Sequence, residues 1–353
     1  MELAQILKKM TDKKASDLIL KVGNSACFRI DGELYKEEPL IREEDMEVLV
    51  REIMHHCKKQ IYKDKGEMVT SFGIKDIGRF RVTIYNQRGT GVVVIRSINT
   101  HVPSFEELSL PAKVLSDLCN EKRGLVLITG TTGSGKSTTV ASMLEFVNNN
   151  MAKHIVTLED PIEFLFKDKQ SIVSQREIKV DTDSFQNALE YIMLQTPDVI
   201  FIGDIRNAEV MSTALTAAET GQLVIANLHT INTTHTIERI VNFFQPHQHQ
   251  EIRIQLSMLL KGVISLRLVP LKSGSGRYPV CEILMPTPTI VELIRENKIE
   301  EIEYYIKDGD LFGMQTFDRA LLNLYKEGLI TEETVISYAE RKNEVLMSLK
   351  ELR

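Results

Sequence analysis

The stretch GTTGSGKST, residues 130–138, constrains this chain more than any other. It follows an apolar run, GLVLITG (124–130), and opens a segment with helical patterning at about 136–149. Glycines at 130, 133 and 135 let the backbone turn tightly, so that successive N–H groups face one concavity. The start of a helix adds its positive dipole end to the same point. A strand, this loop and a helix in that order make a cradle for phosphate. Gly130, Thr131, Thr132, Gly133, Ser134, Gly135, Lys136, Ser137 and Thr138 are therefore the candidate nucleotide-binding residues. Lys136 is expected to reach the β- and γ-phosphates, and Ser137 to ligate Mg²⁺.

The surrounding pattern predicts the sheet such a loop needs. KHIVTLED (153–160), PDVIFIG (197–203) and GQLVIANLH (221–229) are further apolar runs of strand length. Helical patterns at about 183–195, 207–220 and 232–242 separate them. Continuous apolar strands alternating with helices predict a parallel sheet covered on both faces. Strands ending in polar residues then offer partners for the loop. IVTLEDPIE ends in Glu159, Asp160 and Glu163, DVIFIGDIRN in Asp204, and GQLVIANLH in His229. A phosphate loop needs a carboxylate from a neighbouring strand to hold Mg²⁺ or position water. Asp160 and Asp204 are the candidates beside Ser137 for the metal, and a helix N-cap or a solvated strand end is the plainer alternative for each. A strand-end histidine is usually a hydrogen-bonding residue, and Arg239 alone would be a surface charge.

Ahead of this region lies a smaller α+β pattern. A helix at about 3–10 precedes strand-like SDLILKV (16–22) and CFRI (27–30), with a turn at Asp31-Gly32. An amphipathic helix at 42–57 and three strands at 67–74, 79–85 and 90–98 follow. In RFRVTIY, Phe80, Val82 and Ile84 alternate with Arg79, Arg81, Thr83 and Tyr85, so one face is apolar. On residues alone Arg81 and Arg96 read as a solvated strand face. The expected boundaries are a first domain over 1–98, a linker over 99–111 with prolines at 103 and 111, an α/β core over 112–270, and a mainly helical region over 271–353. A strand pair near 263–269 and 279–285 interrupts the helical pattern.

Composition narrows the function. The net charge is −6 and the pI about 5.9. That balance, with no basic aromatic-rich track, argues against nucleic-acid translocation. No apolar run approaches the ~18–20 residues that span a bilayer, so no membrane insertion is expected. The N-terminal MELAQILKKMTDKK lacks signal-peptide character, and the four scattered cysteines suggest neither zinc nor a disulfide framework. A cytoplasmic location follows as the expectation.

Taken in order, TLEDPIEF (157–164), DVIFIGDIR (198–206) and GQLVIANLHT (221–230) resemble the aspartate box, Walker B motif and histidine box of the secretion ATPase superfamily. Within it, FGMQTFDRALLNLYKEGLIT (312–331) is similar to the type IV pilus retraction motors, the PilT/PilU family. IVELIR (290–295) departs from the AIR-type motif of PilT, and with IVNFF (240–244) and ISLRLVP (264–270) leans the resemblance toward PilU. The resemblance implies a RecA-like ATPase domain with a PAS-like N-terminal domain, assembled as a homohexamer. It implies ATP and Mg²⁺ as ligands, with Asp204, Glu163, Lys136 and His229 in catalysis. It also implies that Arg81, Arg96 and Arg239 reach the nucleotide's phosphates. The implied partners are an inner-membrane pilus platform protein and a PilT-type ATPase, at the cytoplasmic base of a pilus. Two alternatives stand beside the retraction motor: an ATP-binding regulatory ring with little turnover, and an assembly or type II secretion ATPase. The latter usually carries a tetracysteine module that these four scattered cysteines do not form.

Five positions depart from the family pattern. Leu194 stands for the usual arginine, Thr196 for an acidic residue, Asp204 for the Walker B glutamate, Asn207 for an aspartate, and Gln222 for a histidine. Asp204 is one methylene shorter than glutamate, a retreat of ~1.5 Å. Misplacement by about 1 Å can cost on the order of a hundredfold in rate. Slow intrinsic hydrolysis is the resulting expectation.

Overall fold

A computed structural model describes residues 2–30, 32–57 and 66–352. Asp31 of the expected turn lies outside the described residues. The chain forms two compact units. The first comprises Met1–His101 with Ile162–Leu165, and the second Val102–Pro161 with Phe166–Arg353.

The first unit is a six-stranded antiparallel sheet, order β3-β2-β1-β6-β5-β4. Its strands are β1 (Asp17–Lys21), β2 (Ser25–Ile30), β3 (Glu33–Leu40), β4 (Glu67–Ile74), β5 (Gly78–Gln87) and β6 (Thr90–Ser97). Two helices, α1 (Leu3–Asp12) and α2 (Glu43–Cys57), contribute to the same apolar core. Leu3, Ile6, Leu7 and Met10 recur at helical spacing and are all buried. Phe80, Val82 and Ile84 alternate along β5 and are fully buried, as the period-2 pattern demands.

The opposite alternation places charges in one row. Register pairs Arg81 with Arg96, Arg96 with Asp17, and Asp17 with Arg29 across β5, β6, β1 and β2. Asp17 is only 5% exposed. It accepts hydrogen bonds from Arg96 Nε at 2.7 Å and Ser16 Oγ at 2.8 Å. Burial opposes its charge, but those bonds, with Arg96 and Arg29 beside it, hold its carboxyl below the usual range. The segment Ile162–Leu165 joins this unit through the backbone, Leu165 N–H donating to the Asn99 carbonyl at 2.9 Å. Glu163 therefore belongs to the first unit.

The second unit is built on a seven-stranded sheet, order β13-β12-β7-β11-β10-β8-β9. These are β7 (Gly124–Thr129), β8 (His154–Glu159), β9 (Ile172–Glu177), β10 (Val199–Ile202), β11 (Leu223–Leu228), β12 (Leu260–Pro270) and β13 (Arg277–Leu284). All neighbours are parallel except β13, which returns antiparallel on β12. β7, β10 and β11 are buried at every position, which is why they read as unbroken apolar runs. The covering helices include α3 (Ala112–Cys119), α4 (Lys136–Asn150), α5 (Phe185–Ile192), α6 (Ala208–Thr220), α7 (Thr233–Val241) and α8 (His249–Leu259). Beyond β13 come α9 (Pro288–Arg295), α10 (Ile302–Lys307), α11 (Phe317–Lys326), α12 (Glu332–Tyr338) and α13 (Lys342–Glu351). The last three share a small core with Val269 of β12 and Val280 of β13. The segment from 271 is thus mainly helical, yet its first element, β13, is an edge strand of the main sheet. β9 has no counterpart in the sequence expectation. Its residues are only partly buried, so they lack the apolar run that marks the central strands.

Candidate nucleotide site

The loop between β7 and α4 takes the conformation its glycines permit. Gly130, Gly133 and Gly135 all have positive φ, at 145°, 78° and 98°. A Cβ at Gly130 would lie 2.6 Å from the Leu266 carbonyl and would overlap Ser134 Oγ, so no other residue fits. Gly135 is the residue before α4 and provides no side-chain cap. The start of that helix points its positive dipole end at the loop, the setting in which helices bind phosphate. Ser134 Oγ is buried without a hydrogen-bond partner among the described residues, a hydroxyl donor suited to a phosphate oxygen.

Lys136 is 7% exposed and turns back over the loop. Its ammonium donates to the carbonyls of Gly130 at 2.8 Å and Thr131 at 2.9 Å, and to His229 Nδ1 at 3.3 Å. An ammonium only donates, so Nδ1 is the accepting nitrogen and the ring proton falls on Nε2. Nε2 faces Asp204 Oδ2 at 3.7 Å. The same oxygen accepts from Arg206 Nε at 2.6 Å, and Arg206 Nη1 stands 3.6 Å from Asp160 Oδ2. The two carboxylates, Asp204 first, raise the affinity of Arg206 for its proton. Lys136, His229, Asp204, Arg206 and Asp160 therefore form one chain of polar contacts. They stand beyond the C-terminal ends of β7, β11, β10 and β8, four strands adjacent in the sheet. Ligands of open parallel sheets bind at that edge.

Asp160 and Asp204 are close enough to share one guanidinium, which fits a divalent cation held by one or two carboxylates, water and phosphate. Among the described residues no group of three or more His, Cys, Asp or Glu could hold a metal by itself. A cation here depends on Ser137 and the nucleotide for its remaining ligands.

The type II/IV secretion system protein family matches residues 2–275. The chain belongs to that family. Among its relatives is the type IV pilus ATPase PilU of Pseudomonas aeruginosa, 38% identical over 352 residues, spanning 99% of this chain and 92% of that protein. The type IV pilus retraction ATPase PilT of the same organism is 40% identical over 335 residues, 94% of this chain and 96% of that one. The crystal structure of the pilus retraction motor PilT with bound ADP superposes with a TM-score of 0.88, at 42% identity and 98% coverage of both chains. Within the secretion family the chain stands with the PilT/PilU retraction ATPases.

Not every residue expected in the family's site joins the polar chain. Arg239, in the last turn of α7, is exposed and lies over the Phe243 ring, 5.0 Å from its centroid. Arg81, Arg96 and Glu163 belong to the first unit. Of the family departures Asn207 has a local explanation, and Thr196 runs against its backbone. Asn207 caps α6, its side chain accepting from Val210 N–H at 3.0 Å, a role asparagine fills as well as aspartate. Thr196 is exposed and holds a left-handed conformation, φ 50° and ψ 50°. An asparagine or aspartate tolerates that region better than a β-branched side chain. Arg206 was missed by sequence reasoning. The available signal was its place two residues beyond a strand-end carboxylate.

Proposed function

We propose that this protein is an ATP-hydrolysing motor that powers type IV pilus retraction, working as a homohexameric ring. The polar chain from Lys136 to Asp160 at the edge of four parallel strands carries the reading. Loop N–H groups and Ser134 Oγ would bind the β- and γ-phosphates, and Lys136 would exchange its carbonyl partners for phosphate oxygens. Asp204 would orient the water whose oxygen attacks the γ-phosphorus as the bond to the β–γ bridging oxygen breaks. His229 would report the γ-phosphate. Arg81, Arg96 and Arg239 would neutralise the developing negative charge, and Glu163 would serve as a carboxylate that positions water. Ser137, Asp160 and Asp204 would hold Mg²⁺, which when bound neutralises charge on the β- and γ-phosphates. The partners are an inner-membrane platform protein and a PilT-type ATPase. The motor sits at the cytoplasmic side of the pilus base. Among the described residues no helix is long and apolar enough to cross a membrane.

A second reading, a ring that binds ATP with little turnover and assists a PilT-type partner, draws support from Asp204. That side chain is shorter than the glutamate of the resemblance and is already held by Arg206. Steady-state ATPase activity of wild type, Lys136→Ala and Asp204→Glu separates the two. A slow wild type that Asp204→Glu accelerates indicates the dependent role. A fast wild type that Asp204→Glu leaves unchanged indicates a self-sufficient motor. Turnover equal to that of Lys136→Ala refutes the motor outright.

A further inference from the structure

The turn that carries His229 is held by residues of β12, β13 and the C-terminal helices. Leu228 ends β11, and α7 starts at Thr233, so residues 229–232 have four positions in which to reverse direction. One guanidinium spans this turn and the C-terminal helices. Arg267 of β12 donates through Nη2 to the Ile231 carbonyl at 3.2 Å and through Nη1 to the Tyr338 carbonyl, at the end of α12, at 3.0 Å. It pairs with Glu340 and lies 3.8 Å above the centroid of Phe317, the first residue of α11. Glu340 is itself fixed, because Asp318 of α11 accepts from the N–H groups of Glu340 and Arg341 at 2.8 and 2.9 Å.

A second tie meets the same turn at its other end. Glu282 of β13 is 3% exposed and accepts from Thr233 N–H at 2.8 Å and Thr233 Oγ at 2.7 Å. Thr230 of the turn and Thr236 of α7 share a hydroxyl hydrogen bond of 2.7 Å. The hairpin β12–β13 and the helices α11 and α12 thus grip the turn at residues 231 and 233, while residue 229 points its imidazole at Lys136 and Asp204. Arg267 is suited to this work. Its planar fork serves two carbonyls and a carboxylate at once, and its face covers an aromatic ring. Lysine has three donors too, but they radiate from one nitrogen at the end of a flexible stem, so they cannot span three separated acceptors while a planar face covers the ring.

We propose that Arg267 is a positioning residue for His229, coupling the imidazole to the placement of α11 and α12. Movement of those helices relative to β12 would then shift His229 against Asp204 and change the rate of hydrolysis while nucleotide affinity stays the same. The inference rests on the reading of His229 as part of the ATPase site, and the test keeps the two apart.

The experiment is steady-state ATPase kinetics and fluorescent-ADP binding on the full chain, for wild type, His229→Ala, Arg267→Gln, Arg267→Lys and the double variant His229→Ala/Arg267→Gln. Arg267→Gln is expected to lower kcat about tenfold, by a fractional-ångström displacement. KM for ATP and the Kd for ADP should stay within twofold. Arg267→Lys should rescue little, since the fork and not the charge is needed. In the His229→Ala background, Arg267→Gln should cost almost nothing further, because the group it positions is gone. Additive losses, or full rescue by lysine, overturn the proposal and leave Arg267 a structural residue. A neutral His229→Ala overturns both the proposal and the reading of the histidine. Should Arg267→Gln fail to fold, Glu340→Gln, which leaves Arg267 on both carbonyls, is expected to lower kcat in the same direction by a smaller factor. No change in kcat there counts against the coupling.

Discussion

Replacing Glu282 by glutamine removes an ionisable group from the interior while keeping its shape and its acceptor oxygen. Burial raises the carboxyl of Glu282 from 4.5 to about 7. The Thr233 hydrogen bonds and the charge of Arg267 lower it and recover only part of that shift, and the charge of Glu340 adds to the rise. The folded chain then keeps a proton that the unfolded chain has already lost between pH 4.5 and about 7. Stability from this group accordingly falls as pH rises through that window and levels off above it. At ~1.4 kcal/mol for each pH unit, the full cost at pH 8 is about 3 kcal/mol. Glutamine carries no charge to desolvate, and its carbonyl oxygen can still accept from Thr233. Glu282→Gln is therefore expected to be more stable than wild type at pH 8, by up to about 3 kcal/mol. At roughly 2–4 °C per kcal/mol for a unit of this size, calorimetry should record a midpoint several degrees higher. At pH 5 the gain should shrink to below about 1 kcal/mol. If glutamine instead lowers the midpoint equally at pH 8 and pH 5, the carboxylate is ionised throughout. Arg267 and the helix N-terminus would then outweigh burial, and the reasoning fails.

Other expectations follow from single contacts. Thr196→Gly should stabilise the second unit by about 1 kcal/mol in thermal unfolding, since it relieves an exposed β-branched residue held in the left-handed region. Gly130→Ala should abolish nucleotide binding in a fluorescence titration, because the added methyl meets the Leu266 carbonyl and forces the loop open. Asp17→Asn should destabilise the first unit at neutral pH by about 1–3 kcal/mol, the worth of hydrogen bonds to a charged group. Asp17 is held below its ordinary 3.8, so this contribution is present above that value and is lost as pH falls through the folded value. The gap between wild type and Asp17→Asn should close correspondingly in acid.

How much was legible depended on how local each feature is. The phosphate loop could be read directly, since its function lies in nine consecutive residues whose glycines dictate the backbone and whose lysine is adjacent to it. The central strands could be read because a strand buried on both faces leaves an unbroken apolar run. β9 and β3 could not, since partly exposed edge strands carry mixed residues that resemble loops. Asp204 and His229 could be nominated as strand ends, but their meeting with Lys136 needed the strand order β7-β11-β10-β8, which no single segment encodes.

The sequence by itself determined that the chain has a nucleotide loop on a parallel α/β sheet, because backbone freedom and apolar period are properties of contiguous residues. Only the tertiary structure decided that Arg206 joins Asp204 to Asp160, that Glu163 belongs with the first unit, and that Arg239 lies over Phe243. It alone brought Arg267 to Ile231, 36 residues away, and to Tyr338, 71 residues away. Charged side chains carry no address in the sequence. Their partners are set by which strands and helices the hydrophobic core brings side by side.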